Sequence, residues 1–145
     1  MNLPKYPVSA DDERFLYEFI SEGFRGSIKK TAIYSEIEDG LFNLAFGDWN
    51  EKLNKLDDSI RSNNGDREKI LATVASTAID FTDRFPQAEI FTEGSTPART
   101  LLHQMGISNN LKKISEDFEI QGYIKHEWKP FVKGVNYEAF LIKRK

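Results

Sequence analysis

One stretch does most to limit what this chain can fold into: IKKTAIYSEIEDGLFNLAFGDW, residues 28–49. Ile28, Lys30, Ala32, Tyr34 and Glu36 fall on one side of an extended backbone, and Lys29, Thr31, Ile33, Ser35 and Ile37 on the other. Beyond Asp39-Gly40 the alternation resumes, with Leu41, Asn43 and Ala45 set against Phe42, Leu44 and Phe46. A repeat of two is the signature of a strand. Asp-Gly is a strong two-residue turn signal, because both residues accept positive φ. The stretch therefore predicts an antiparallel hairpin, which commits the chain to a sheet.

The flanking segments extend that sheet. FLYEFI, from Phe15, reads as a strand closed by Gly23 and Gly26, and a weaker strand is predicted around Leu56 to Arg61. After SNNGD the period changes. Ile70, Val74, Ala78, Phe81 and Phe85 recur every three or four residues, with Leu71, Ala75 and Ile79 widening the stripe. This predicts an amphipathic helix from about Asp66 to Arg84, stopped by Pro86. AEIFT reads as a short strand, a helix begins within GSTPAR, and SNNLKKISEDF reads as a second short helix. EIQGYIKHEW and YEAFLIKRK are two closing strands joined by a loop around Pro130 and Gly134. The expected fold class is α+β: an antiparallel-rich sheet with one long helix and one or two short ones packed on it. We expect a single domain over residues 1–145, with residues 1–13 as an N-terminal arm.

Composition narrows the chemistry. Among 145 residues there is no cysteine, which removes disulfides, thiolate metal sites and cysteine nucleophiles together. Two histidines, His103 and His126, cannot build a histidine-rich metal centre, and no metal site is expected. No apolar run approaches the ~20 residues of a membrane span. The first residues lack a signal-like pattern, so a cytoplasmic protein is expected. Net charge is −3, giving no general pull toward nucleic acid; Lys143, Arg144 and Lys145 read as a solvated basic end.

Two loops could carry chemistry. RSNNGDREK lies between a strand and the long helix, where backbone N–H groups converge and anions can be held. Asn63, Asn64, Gly65 and Arg67 would form the cradle, Gly65 letting a ligand approach the backbone. Asp66 competes, since a carboxylate at a helix start can cap it and repel phosphate. In EGSTPARTLLHQMGI, Ser95 or Thr96 suits the N-cap, Pro97 the first turn and Gly106 the C-cap. Arg99 does not fit helix grammar, because a cation in the first turn opposes the dipole; it wants Glu93 or an anionic ligand. Ser95 is no catalytic nucleophile with His103 as base, since eight residues of helix separate them by more than ~10 Å. His103 remains the only weak catalytic candidate. Of the aromatics, Tyr6, Phe24, Trp49 and Trp128 fall in or near expected loops, where rings could anchor a partner.

The strings NLPKYPVSADDERFLYEFISEG, NLAFGDWN, NNGDREKILATVAST, EGSTPARTLLHQMGI and KGVNYEAFLIKRK together resemble a family of small uncharacterised bacterial proteins. That resemblance implies no assigned activity. The order hairpin, strand, long helix, strand, short helix, strand, strand is also similar to the core of the GNAT superfamily of N-acyltransferases. It implies acyl-CoA held at the start of the long helix. Ser95, Ala98, Leu101-Leu102 and Gly106-Ile107 stand at the places of that superfamily's Asn, Ala, Leu-Tyr and Gly-Phe. Leu102 stands where the proton-donating tyrosine would be, and SNNGDR replaces the usual glycine-rich loop. Two readings follow. One is a GNAT-like domain, enzymatically degenerate or not, that binds acyl-CoA or another phosphorylated ligand. The other is a non-catalytic interaction module that pairs with a small neighbouring gene product or with itself.

Overall fold

The computed structural model describes residues 5–13, 15–50, 52, 55–57, 65–94 and 97–145. Its backbone gathers into two compact units, residues 1–34 with 45–84, and residues 35–44 with 85–145. Two long strands contribute to both: β3 (Gly26–Glu38) and β4 (Leu41–Asn50).

In the first unit, β1 (Ser9–Ala10) and β2 (Leu16–Gly23) precede β3, and the hydrogen-bonded order runs β1-β2-β3-β4. β2 and β3 pair antiparallel from Leu16↔Ile33 to Gly23↔Gly26, with Phe24-Arg25 as the turn and Gly26 at φ 92°. β5 (Lys55–Asp57) is added antiparallel to the end of β4. Of the strand expected at 56–61, residues 56 and 57 stand in β5 and residues 58–61 lie outside the described ones. Register puts Tyr17, Phe19 and Ser21 on the same face as Ala32, Lys30 and Ile28. Helix α1 (Arg67–Arg84) packs there, as predicted. Tyr34 stacks on Phe81 with ring centroids 4.3 Å apart and planes 7° from parallel. Tyr17 meets Tyr34 edge-on at 5.7 Å. Each such ring, fully buried, contributes about 1.5–3 kcal/mol.

The buried stripe of α1 differs from the expected one. Thr73, Thr77 and Thr82 are buried, whereas Ile70, Leu71, Ala75 and Ile79 are only half-buried. The threonine hydroxyls satisfy themselves within the helix: Thr73 donates to Lys69 O at 2.7 Å, Thr77 to Val74 O at 2.6 Å and Thr82 to Ala78 O at 2.7 Å. With that bond made inside its own turn, a threonine buries at little polar cost and presents its methyl to the sheet. Lys30 and Asp48 form a buried ion pair on the same sheet face.

In the second unit the order is β4-β6-β9-β7-β8, built from β6 (Glu89–Thr92), β7 (Phe118–Ile124), β8 (Glu127–Pro130) and β9 (Ala139–Arg144). β4 and β6 run parallel, Leu41↔Glu89 to Asn43↔Phe91, and the other pairs are antiparallel. The turn between β3 and β4 has positive φ at Gly40 but not at Asp39. Asp39 keeps ordinary backbone geometry, so the expected mirror-image turn is not formed, although the hairpin is. EIQGYIKHEW was expected as one strand; it folds back on itself as β7 and β8, joined by Lys125-His126. Trp128 consequently lies in β8 and Trp49 in β4, not in loops.

Two helices follow β6: α2 (Pro97–Asn109) and α3 (Leu111–Ile114). Gly106 does not end α2 as expected. It is buried inside the helix, and Ile107 beyond it is buried too, so that burial outweighs the ~1 kcal/mol helix penalty of glycine. Gln104 of α2 is 5% exposed and reads the loop before β9. Its Nε2 donates to Val135 O, and its Oε1 accepts from Tyr137 N at 2.8 Å. Tyr137 in turn lies flat on Gly122 of β7, where any Cβ would overlap its ring.

Candidate functional site

The start of α1 is the first place expected to hold a ligand. Arg61, Asn63 and Asn64 lie outside the described residues. Gly65 takes φ 78°, and a Cβ there would come 2.9 Å from Phe24. The open backbone at Gly65 thus accommodates the chain's own Phe24 ring, which is otherwise 73% exposed at the tip of the β2–β3 turn. Arg67 opens α1 and is exposed.

Asp66 corrects the capping expectation. Its backbone oxygen accepts from Ile70 N at 3.0 Å, but its carboxylate turns away from the helix. Oδ2 accepts from the hydroxyls of Tyr6 and Ser21, each at 2.5 Å. Oδ1 is buried and finds no hydrogen-bond partner among the described residues. At Tyr6 the N-terminal arm is therefore docked. Tyr6 N donates to Thr73 Oγ1 at 2.8 Å, its ring stacks on Phe19, and Lys69 Nζ sits 4.2 Å from the ring centroid. With its one proton given to Asp66, the Tyr6 hydroxyl also accepts from Glu22 N at 3.0 Å and lies 3.1 Å from Glu22 O. Burial, then the bond to Asp66, raises the Tyr6 pKa above its ordinary value of 10. The result is a helix start closed by a carboxylate, two hydroxyls and an aromatic ring. An aspartate at this end of a helix suits the dipole and competes with an incoming phosphate.

At the start of α2, Ser95 and Thr96 lie outside the described residues. So does the Arg99 side chain, whose backbone stands in the first turn. The turn is closed by Thr100, which is buried. Its Oγ1 accepts from Gly94 N at 3.0 Å. His103 is half-buried in the middle of α2. Among the described residues, no group of three or more His, Cys, Asp or Glu could hold a metal, and no helix is long and apolar enough to cross a membrane.

The arrangement best suited to recognition lies on the second unit's sheet. Register puts Phe91, Leu141, Tyr123 and Trp128 on the face opposite Ile90, Phe140, Ile120 and Gly122. The latter face is the core, with Ile90 and Phe140 at 0% exposure. On the former, Trp128 is 38% exposed, meeting Tyr123 at 5.0 Å between ring centroids and Phe91 edge-on at 6.1 Å. Phe91, Tyr123 and Leu141 are themselves only half-buried. Trp128 stands on β8, the last strand of the order, where every residue is exposed. The turn that delivers it is unusual: Lys125 and His126 both take positive φ, 52° and 63°, a geometry that favours Asn-Gly. Absence of an Asn-Gly signal is why the sequence concealed this hairpin, and with it the Trp128 cluster.

The chain belongs to a family of unknown function, DUF6934, whose model matches residues 2–145. No curated protein and no solved structure matches it.

Proposed function

We propose that this member of the DUF6934 family is a protein-interaction module, and that it binds through the aromatic sheet face around Trp128. The observation that carries the reading is Trp128 itself: an indole more than a third exposed, braced by Tyr123 and Phe91 on a terminal strand. Rigid, half-exposed aromatic anchors are the residues that dominate protein interfaces. A turn holding two non-glycine residues at positive φ is backbone strain of the kind found at functional sites.

The phosphorylated-ligand reading, acyl-CoA at the start of α1, draws its support from the expected loop before that helix and from element order, and order is analogy. The docked Tyr6 and the carboxylate of Asp66 weigh against it.

A photo-crosslinker placed at position 126 tests the proposal in cells that naturally express the chain. A discrete protein adduct that disappears in Trp128→Ala is expected. The proposal fails if no adduct depends on Trp128. It also fails if millimolar CoA or acetyl-CoA raises the melting temperature of the purified chain, since such stabilisation by mass action would mark a cofactor site.

A further inference from the structure

The sheet of the second unit has two ends, and they differ in what they offer a further strand. One end is β8. Ile124↔Glu127 flank its turn, and Phe131 N donates to Ile120 O at 3.0 Å, so residues 127, 129 and 131 bond inward to β7. Trp128 and Pro130 turn their backbone outward, and Pro130 has no N–H to offer. A single outward N–H beside a proline discourages strand addition.

The other end is the last part of β3, which joins this unit at residue 35. Pairing with β2 runs up to Leu16↔Ile33, and Tyr34 N donates to Phe15 O at 2.8 Å. Beyond that bond β3 continues to Glu38 with no strand on this side among the described residues. Hydrogen-bonding direction alternates along a strand, so Glu36 and Glu38 point their N–H and C=O the same way as Tyr34, to the open side. Residues 35–39 are all exposed. This edge therefore presents two donors and two acceptors with nothing over them.

Side chains decide which strand such an edge accepts. Residues 35–44 carry Glu36, Glu38 and Asp39 and no lysine or arginine. Glu36 Oε2 accepts from Gly40 N at 3.3 Å, and among the described residues no cation pairs with these three carboxylates. Glu36 and Glu38 share one face of β3, and Ile37, 54% exposed, stands on the other. Two copies joined antiparallel along this edge would set Glu36 against Glu38, and like charges directly opposite are destabilising. A strand with cations at alternate positions meets the reverse situation: each falls opposite a carboxylate.

We infer that the 35–39 edge docks an extended segment of another protein, with a cationic, an apolar and a cationic residue in succession, which adds antiparallel to β3. Its backbone pairs with Glu36 and Glu38, its two cations stand opposite those carboxylates, and the apolar residue between them lies beside Ile37. This site stands at the opposite end of the strand order from Trp128 and does not depend on it.

The test titrates a short capped peptide, alternating lysine and valine, into the isotope-labelled full chain and follows the backbone amides by NMR. Saturable shifts concentrated on residues 35–39 are expected, with slower hydrogen exchange at the Glu36 and Glu38 amides. The same peptide N-methylated on its lysine amides should bind at least ~10-fold more weakly, as should the lysine peptide on Glu36→Lys/Glu38→Lys. The charge-reversed chain should instead prefer a peptide alternating glutamate and valine, and Trp128→Ala should bind the lysine peptide as wild type does. The N-methylated peptide needs no variant, so it decides the matter even where the charge-reversed chain fails to fold. Equal binding of the methylated and unmethylated peptides would show attraction by charge alone and overturn strand addition. Shifts centred elsewhere, or no saturation at millimolar peptide, would overturn the site itself.

Discussion

The hydroxyl of Tyr6 donates to Asp66 Oδ2 at 2.5 Å, joining the N-terminal arm to the first residue before α1. The same oxygen accepts from Glu22 N at 3.0 Å, so that one side-chain atom supports a strand and a helix start together. Replacing Tyr6 with Phe keeps the stacking on Phe19 but strands these groups. A loss of about 1–3 kcal/mol is expected from urea unfolding midpoints. Tyr6→Ala should cost more, because it also empties the space beside Phe19. A Tyr6→Phe midpoint equal to wild type would show that the arm contributes no stability through its hydroxyl.

The raised pKa of Tyr6 has a defined sign. The folded state holds this proton more tightly than the unfolded chain does, so the associated stability is complete below the unfolded value near 10. It is lost as pH rises through the folded value. Burial raises Tyr34 in the same direction. Melting temperature should therefore be flat through neutrality with respect to these groups and fall above about pH 10. The fall should be shallower in Tyr6→Phe, and a steeper one would reverse the sign argued here.

A Cβ at Gly122 would stand 2.3 Å from the Tyr137 ring. Gly122→Ala should destabilise the chain by at least ~2 kcal/mol through overpacking. Adding Tyr137→Leu should recover part of that loss, although Tyr137 also receives a bond from Val132 N through its hydroxyl. Additive losses in a double-mutant cycle would mean that the two positions do not compete for space.

The Lys125-His126 turn should respond in the opposite direction. Lys125→Asn with His126→Gly supplies residues that favour positive φ, and a gain of about 1 kcal/mol is expected by thermal or chemical unfolding. Unchanged or lower stability would argue that the turn is unstrained. Where strain serves binding, the stabilised variant should lose affinity as it gains stability.

Lys30 and Asp48 are buried together in the first unit. Lys30→Met alone leaves a buried carboxylate and should cost about 3–5 kcal/mol, whereas Lys30→Met with Asp48→Leu should restore most of it. The comparison requires only melts of wild type and the two variants. Equal losses in the single and double variants would show that the pair, not its imbalance, holds the region together.

The sheet was legible wherever side-chain period and turn chemistry agreed. Alternation from Ile28 to Phe46 located β3 and β4, and the three-to-four spacing between Ile70 and Phe81 located α1. The inward face of α1 was less legible, because threonine counts as polar until its hydroxyl is seen bonded within its own turn. Tyr6 was assigned to an arm by the prolines around it; its anchoring depends on Glu22, Asp66 and Thr73, which are distant in sequence. The β7–β8 hairpin was hidden because Lys-His carries no turn signal, so Trp128 was expected at the end of one long strand, in or near a loop. At the expected phosphate cradle the sequence located the start of α1 just after Gly65 and Asp66. What it could not show was that Phe24 and Tyr6 come to that place from elsewhere in the chain.

Residues 35–44 belong to the second unit, yet they interrupt the first unit's sequence between Tyr34 and Ala45. Neither unit is thus a continuous piece of chain. A single genetic crossover, at any position, could not transfer one unit whole without residues of the other. The two must be inherited as a pair, and a substitution in the 35–44 hairpin is selected in the company of both.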